Sequence, residues 1–230
     1  MSASFDAVDD KLREADFFLT KMEETGLDVR AWRFYFSAFV TAARSVTFVL
    51  QTVMSDVPGF AEWYANRQDR LRADTPSRYF TSVRNEVQKR GTNPVAVWGR
   101  NEDGGVDAFF VHWYGDPEAV PPATDVATAC KEQMRTLACL VFEVYRDFGH
   151  FIDPAIVYTA EGAKCQGLTI EDVEEQLIGV RGWTAGLPLD ERFRLLRRNE
   201  PMPSVDDLFV KYLNHDRFAV TGHRETGDHA

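Results

Sequence analysis

Residues 28–54, DVRAWRFYFSAFVTAARSVTFVLQTVM, decide the fold class of this chain. Apolar side chains cover nearly the whole circumference of the helix that their spacing predicts. This is typical of a helix in the middle of a packed bundle or at a subunit interface. Asp28 is a suitable N-cap, because its carboxylate can accept from the free N–H groups of the first turn. We therefore predict a mainly α-helical bundle with this segment as its central helix.

Helical spacing and breaker residues extend the prediction on both sides. Residues 7–25 predict an amphipathic surface helix. Its expected buried positions are Val8, Leu12, Ala15, Leu19 and Met22. Further helices are predicted from Phe60 to about Asp74 and from Pro76 to Arg90, where Gly91 acts as the stop.

The sequence period changes after Pro94. Residues 95–98 and 106–114 are rich in β-branched and aromatic side chains, and the turn-forming stretch NEDGG at 101–105 separates them. This pattern predicts one small inserted β-hairpin at about residues 94–115. An isolated hairpin is marginal in water, so we expect it to lie against helices or against a second subunit.

A proline-rich segment, Pro117, Pro121 and Pro122, predicts a linker in the middle of the chain. We expect an N-terminal helical bundle with the hairpin at 1–116, a C-terminal helical region at 123–215 and a flexible tail at 216–230. Within the second region, one long helix is predicted from Asp125 to Phe148. Shorter helices are predicted to begin near Asp153, Thr169, Leu189 and Ser204.

Composition limits the classes of function. The chain of 230 residues carries a formal net charge of −10, which disfavours holding a DNA duplex, although a local cationic pocket could still bind RNA. No stretch approaches the roughly 18 consecutive apolar residues of a membrane-spanning helix, because Arg44 interrupts the best candidate. The N-terminal residues lack the pattern of a secretory signal. We expect a soluble cytoplasmic protein that does not contact membranes.

Neither the cysteines nor the histidines predict a metal site or a cofactor. The three cysteines include no Cys-x-x-Cys pair. Cys130 and Cys139 should lie on opposite faces of one helix, and we interpret all three, with Cys165, as buried structural thiols. The five histidines form no His-Glu-x-x-His or Glu-x-x-His pattern. No nucleotide-binding glycine loop is present either.

Arg44 stands out because it is a cation in the most apolar predicted helix. A guanidinium there is costly unless it is paired. The sequence leaves two interpretations open: a structural ion pair inside the protein, or a place in the lining of a polar pocket.

A second polar group lies on the helix predicted at 76–90. It contains Arg84, Asn85 and Glu86, and Glu86 is placed to pair with Arg90 one turn later. Read without further context, this is a solvated charged helix end.

Two motifs together resemble those of the HEPN-like helical proteins. They are Ala42-Ala43-Arg44-Ser45 in the Phe-rich helix and Phe80-Thr81-Ser82-Val83-Arg84-Asn85-Glu86 after it, and the resemblance covers roughly residues 1–90. It implies metal-independent endoribonuclease ancestry. It also adds to our expectation of a homodimer, which rests on the all-round apolar helix, the many aromatic residues and a hairpin that needs cover. In that family an Arg followed by a polar residue begins a motif that ends in His four to six residues later.

This sequence lacks the family's histidine. Gln88, Lys89 and Arg90 occupy the positions where the imidazole belongs, and Gln88 cannot act as a general acid or base. We therefore expect a non-catalytic binding or scaffold protein for a nucleotide, RNA or protein partner, with Arg44, Arg84, Asn85 and Glu86 at its site. The alternatives are a divergent ribonuclease using Arg84, Asn85 and Lys89, and a purely structural dimeric subunit.

Two further features lie near the C-terminus. The stretch Gly179-Val180-Arg181-Gly182-Trp183-Thr184 predicts a structural turn. The basic group Arg192, Arg194, Arg197 and Arg198 follows the acids Asp190 and Glu191, an order that suits the helix dipole. We interpret this basic group as a solvated helix face, with an anion or RNA contact as the alternative.

Overall fold

The computed structural model describes residues 5–100, 106–111, 119–199 and 205–215. Over these residues the chain is mainly helical with one two-stranded antiparallel sheet, so the predicted fold class is confirmed. In chain order the elements are α1 (Asp6–Glu24), α2 (Val29–Val53), α3 (Phe60–Ala73), α4 (Thr75–Arg90), β1 (Val95–Arg100), β2 (Val106–Phe110), α5 (Val126–Ile152), α6 (Pro154–Val157), α7 (Ala160–Cys165), α8 (Ile170–Ile178), α9 (Leu189–Asn199) and α10 (Asp206–Leu213).

The chain forms two compact units. The first contains residues 1–140 and 208–215, and the second contains residues 141–207 and 216–230. The division falls inside α5, whereas the sequence placed a boundary at the proline-rich segment. The expected flexible tail at 216–230 lies outside the described residues.

In the first unit, α1 packs against α2. The five positions expected to form the buried face of α1 are all buried. Asp28 caps α2 as predicted, accepting from the backbone N–H groups of Arg30 and Ala31 at 3.0 Å each. At the other end of the chain, α10 returns to this unit, where Lys211 and Tyr212 both donate to Asp16 on α1.

Helix α2 is less enclosed than an all-round apolar helix was expected to be. Phe36, Phe39 and Leu50 are fully buried, but Phe34 is 66% exposed and Phe48 is 45% exposed. Among the described helices, α2 is also the one whose length and apolar composition would suffice to cross a membrane. Half of its most apolar stretch is buried inside the protein, and a helix in the core of a folded protein can be equally long and apolar.

The hairpin pairs β1 with β2 in antiparallel register, with Val95 opposite Phe110 and a bulge between Val97 and Gly99. Phe110 packs on the helices, with ring centroids 6.1 Å from Phe36 and 4.9 Å from Tyr79. The expected packing of the hairpin against helices is therefore confirmed. Its predicted turn at 101–105 and the end of its second strand at 112–115 lie outside the described residues.

The second unit has a small apolar core of its own, formed by Ala163, Ile170, Val173, Phe193 and Leu196. Helix α8 begins with the predicted capping box, in which the side chains of Thr169 and Asp172 each accept from the other residue's backbone N–H. The sequence could predict this capping box because it depends on residues within one turn of the helix.

The turn predicted at 179–184 is held by a buried carboxylate on α8. Glu174 is fully buried and accepts from the backbone N–H groups of Gly182 at 2.5 Å and Thr184 at 3.0 Å. The Arg192 guanidinium reaches the same carboxylate at 3.0 Å and Glu171 at 2.8 Å. The interpretation of the basic group as solvated is therefore wrong for Arg192, because its guanidinium pairs with the buried Glu174 and the partly exposed Glu171 on α8.

The cysteines depart partly from expectation. All three are free thiols, and Cys130 and Cys139 do lie on opposite faces of α5, one buried and one exposed. The interpretation as buried thiols holds for Cys130 but is wrong for Cys139 and Cys165, which are exposed. Helical spacing fixes which faces the residues occupy, but the packing partners decide which face is covered.

Candidate functional site

Helix α4 carries the motif singled out in the sequence. Asp74 caps the helix by accepting from the Ser77 N–H at 2.9 Å, and Gly91 ends it with a positive φ of 66°. Val83 is buried, so the next two residues, Arg84 and Asn85, lie at the edge of the packed face and are half-buried. The helix therefore presents both side chains beside α2.

A cavity of about 410 Å³ lies in the first unit, and helices α2, α3, α4 and α5 contribute to its wall. Three arginines line it, Arg44, Arg72 and Arg78, and none of the described lining residues is acidic. Its neutral polar side chains are Thr47, Tyr64, Gln68, Ser77, Thr81, Ser82, Asn85 and Gln133. A cavity of this size with converging polar groups is typical of a small-molecule site.

Arg44 lines this cavity and is half-buried. Its Nη1 donates to Thr47 Oγ1 at 2.5 Å, and its guanidinium carbon lies 4.1 Å from the centroid of the Phe48 ring. Among the described residues no carboxylate pairs with it. Burial lowers the pKa of Arg44, the nearby Arg84 lowers it further, and Tyr64 acts in the opposite direction.

Arg84 lies next to this cluster but is not one of the residues that line the cavity. Its Nη1 donates to Asn85 Oδ1 at 3.2 Å, and its guanidinium carbon lies 6.0 Å from the same Phe48 ring. Its Nε is buried and has no hydrogen-bond partner within the described part of the chain. Asn85 lines the cavity itself. Two like-charged guanidinium groups thus share one aromatic ring, and their partners there are neutral.

The other sequence candidates on α4 lie elsewhere. Glu86 pairs with Arg90 at 3.2 Å, the predicted helix pair, and no described contact joins it to Arg84. Lys89 is exposed and is not part of the described cavity lining. Gln88, at a position where the family's histidine belongs, donates from its amide to Thr41 Oγ1 on α2 at 2.9 Å. The structure therefore joins Arg44, Arg84 and Asn85, and leaves Glu86 and Lys89 apart from them.

Sequence reasoning missed several residues of this cavity. Arg72 and Arg78 flank the junction between α3 and α4, where they read as ordinary helix-end cations. Arg72 has a weak partner in Asp69, at 3.4 Å between two exposed side chains. Tyr64 is buried, and this burial raises its pKa, while Arg44 and a hydrogen bond with Thr47 act in the opposite direction. No spacing pattern could have found these residues, because they come together only when the helices pack.

The histidines and other possible metal ligands do not build a site within the described residues. His150 and His215 are not cavity residues, and His112, His223 and His229 lie outside the described residues. Within the described ranges no group of three or more His, Cys, Asp or Glu residues could hold a metal ion.

The described geometry defines a helical protein with an arginine-lined cavity. Residues 2–102 of the chain match the family model described as bacteriophage lambda protein ea47. The match covers α1 to β1 and every cavity residue up to Asn85, but not Ala119, Gln133 or Leu137. No curated protein matches the chain. No solved structure matches it either.

Proposed function

We propose that this protein binds a phosphate-bearing ligand, such as a nucleotide or an RNA end, in the arginine-lined cavity and does not cleave it. One observation carries the proposal. Arg44 and Arg84 approach the same ring with only neutral hydrogen-bond partners, although the whole chain has a net charge of −10. In an acidic protein, carboxylates are abundant, yet none of those described neutralises this pair.

The physical argument concerns the cost of half-buried charge. A guanidinium that leaves water loses hydration, and a second guanidinium nearby adds repulsion. An anion between or beside the two groups would relieve both costs. Phosphate oxygens suit this role because the planar fork of Arg N–H groups matches their geometry. The hydroxyl and amide side chains of the lining could bind the rest of a polar ligand.

The proposal predicts that Arg44→Gln weakens the binding of a short 5′-phosphorylated RNA and of inorganic phosphate, measured by isothermal titration calorimetry. The expected loss is about ten- to a hundredfold, since a charge-assisted hydrogen bond contributes about 1.5–3 kcal/mol. Arg30→Gln is the matched control, because Arg30 is exposed on the same helix and changes the net charge equally. Equal binding by the two variants would contradict the proposal.

The competing function is a divergent ribonuclease that uses Arg84, Asn85 and Lys89. Its support is the resemblance of the Arg84-Asn85 pair to the HEPN-like motif, and HEPN-like ancestry remains part of our proposal. An RNA-cleavage assay on wild type and Arg84→Ala separates the two functions. We expect no cleavage by either protein. Cleavage by wild type that disappears in Arg84→Ala would show that the protein is a ribonuclease and would overturn the binding proposal. A purely structural subunit would instead show no ligand binding and a change in stability alone.

A further inference from the structure

We propose that the cavity selects a dianionic terminal phosphate, that is a phosphate monoester, over the monoanionic phosphodiester inside a nucleic-acid chain. This inference rests on the proposed function and specifies the ligand group that the cavity would hold.

The first step is the number of cations that lack an acidic partner. Arg44 donates to the Thr47 hydroxyl, and Arg84 donates to the Asn85 side-chain oxygen. Both acceptors are neutral, so the two positive charges are uncompensated among the described residues. A phosphodiester would balance one of them, whereas a phosphate monoester carries about −1.5 to −2 at pH 7 and would balance both.

The second step is the availability of donors. A guanidinium has five N–H donors in one plane. A carboxylate would accept hydrogen bonds from some of these donors, whereas an aromatic ring attracts the cation through its face and leaves the N–H groups available. Arg44 lies 4.1 Å from the Phe48 centroid and Arg84 lies 6.0 Å from it. The Nε of Arg84 is buried without a hydrogen-bond partner among the described residues. Donors thus remain for the three terminal oxygens of a monoester, one oxygen more than a diester leaves free.

The third step is the surrounding field. Arg72 and Arg78 line the cavity together with Arg44, whereas Arg84 lies beside it, and the described lining adds no acidic residue. Arg72 interacts with Asp69 only across 3.4 Å and in an exposed position. Arg72 and Arg78 are exposed, so salt screens their field, whereas the half-buried Arg44 and Arg84 are screened less. The field of these cations therefore favours the ligand that carries the larger negative charge.

Three probes of similar size test the proposal by isothermal titration calorimetry at pH 8: phenyl phosphate, phenyl sulfate and methyl phenyl phosphate. At this pH the first is a dianion and the other two are monoanions, since the second phosphate pKa is about 6. We expect wild type to bind phenyl phosphate about tenfold or more tightly than either monoanion. In Arg84→Gln the ratio of the affinity for phenyl phosphate to that for the monoanions should fall toward one. In Arg30→Gln this ratio should stay as in wild type.

The outcomes separate this inference from the proposed function. If wild type binds all three probes with equal affinity and Arg44→Gln loses this binding, the cavity binds anions but does not select a dianion. That result overturns this inference and leaves the proposed function standing. Failure of every probe to bind wild type overturns both. The decisive comparison is made within wild type, so it does not depend on the folding of any variant.

Discussion

Gly162 shows how closely the second unit is packed around a single residue. A Cβ added at this position would lie 2.0 Å from the backbone oxygen of Ile156 and 2.8 Å from that of Val157. Backbone atoms cannot rotate away as a side chain can, so the residue must remain glycine despite its place inside α7.

We predict that Gly162→Ala lowers the free energy of unfolding by about 1–3 kcal/mol, the usual cost of overpacking. Gly149→Ala is the matched control. There the added atom meets side-chain atoms alone, the flexible end of Ile156 at 3.0 Å and the Cβ of Asp153 at 3.8 Å, and alanine favours the helix. Urea denaturation followed by circular dichroism measures both variants, and an equally stable Gly162→Ala would contradict the close approach.

At the scale of elements, one carboxylate organises the segment between α8 and α9. Burial would raise the pKa of Glu174, but hydrogen bonds from Thr184, Arg192 and the Gly182 backbone lower it to about 2. The folded-state pKa thus lies below the ordinary value of 4.5, and the folded protein binds fewer protons than the unfolded chain. The resulting stability is fully present above about pH 4.5 and is lost as the pH falls toward about 2.

We predict that Glu174→Gln destabilises the protein by about 3 kcal/mol at pH 7, because it breaks a buried ion pair. The variant should also show a smaller loss of stability between pH 4.5 and pH 2. Part of the pH dependence of stability should remain in this variant because of Asp172. Hydrogen bonds from Thr169 and then Arg181 lower the pKa of Asp172 to about 2. Thermal unfolding across this pH range checks both effects. Glu175→Gln, at an exposed ion pair with Arg181, should change stability little, so an equal loss in the two variants would contradict the role of Glu174.

At the scale of the whole molecule, the exposed side of α2 supports our expectation of a homodimer. Phe34 is 66% exposed and Phe48 is 45% exposed on this apolar helix, and exposed apolar patches mark sites of association. We predict a dimeric mass by size-exclusion chromatography with light scattering, and a shift toward monomer in Phe34→Asp. Phe17→Asp, at an exposed position on α1, is the control. A monomeric wild type at micromolar concentration would contradict the homodimer and leave the cavity proposal unaffected.

The sequence by itself determined the class of fold, the hairpin and most helix ends. Asp28, Gly91 and the Thr169–Asp172 capping box act through hydrogen bonds or backbone angles within a few residues, so their positions in the chain are sufficient. It also indicated Arg44 and Arg84, because a cation in an apolar helix and a short polar motif are visible without coordinates.

Only the tertiary structure decided what those residues meet. Arg44 could have faced a carboxylate, but the packing of α2, α3, α4 and α5 placed it in a cavity with Arg72 and Arg78. The packing of α9 against α8 likewise joined Glu174 to Arg192, which no spacing along the chain predicted. The physical reason is that helical periodicity fixes the direction of a side chain around its own axis. The charges and hydroxyls across from it belong to distant parts of the chain and are set by how the helices pack.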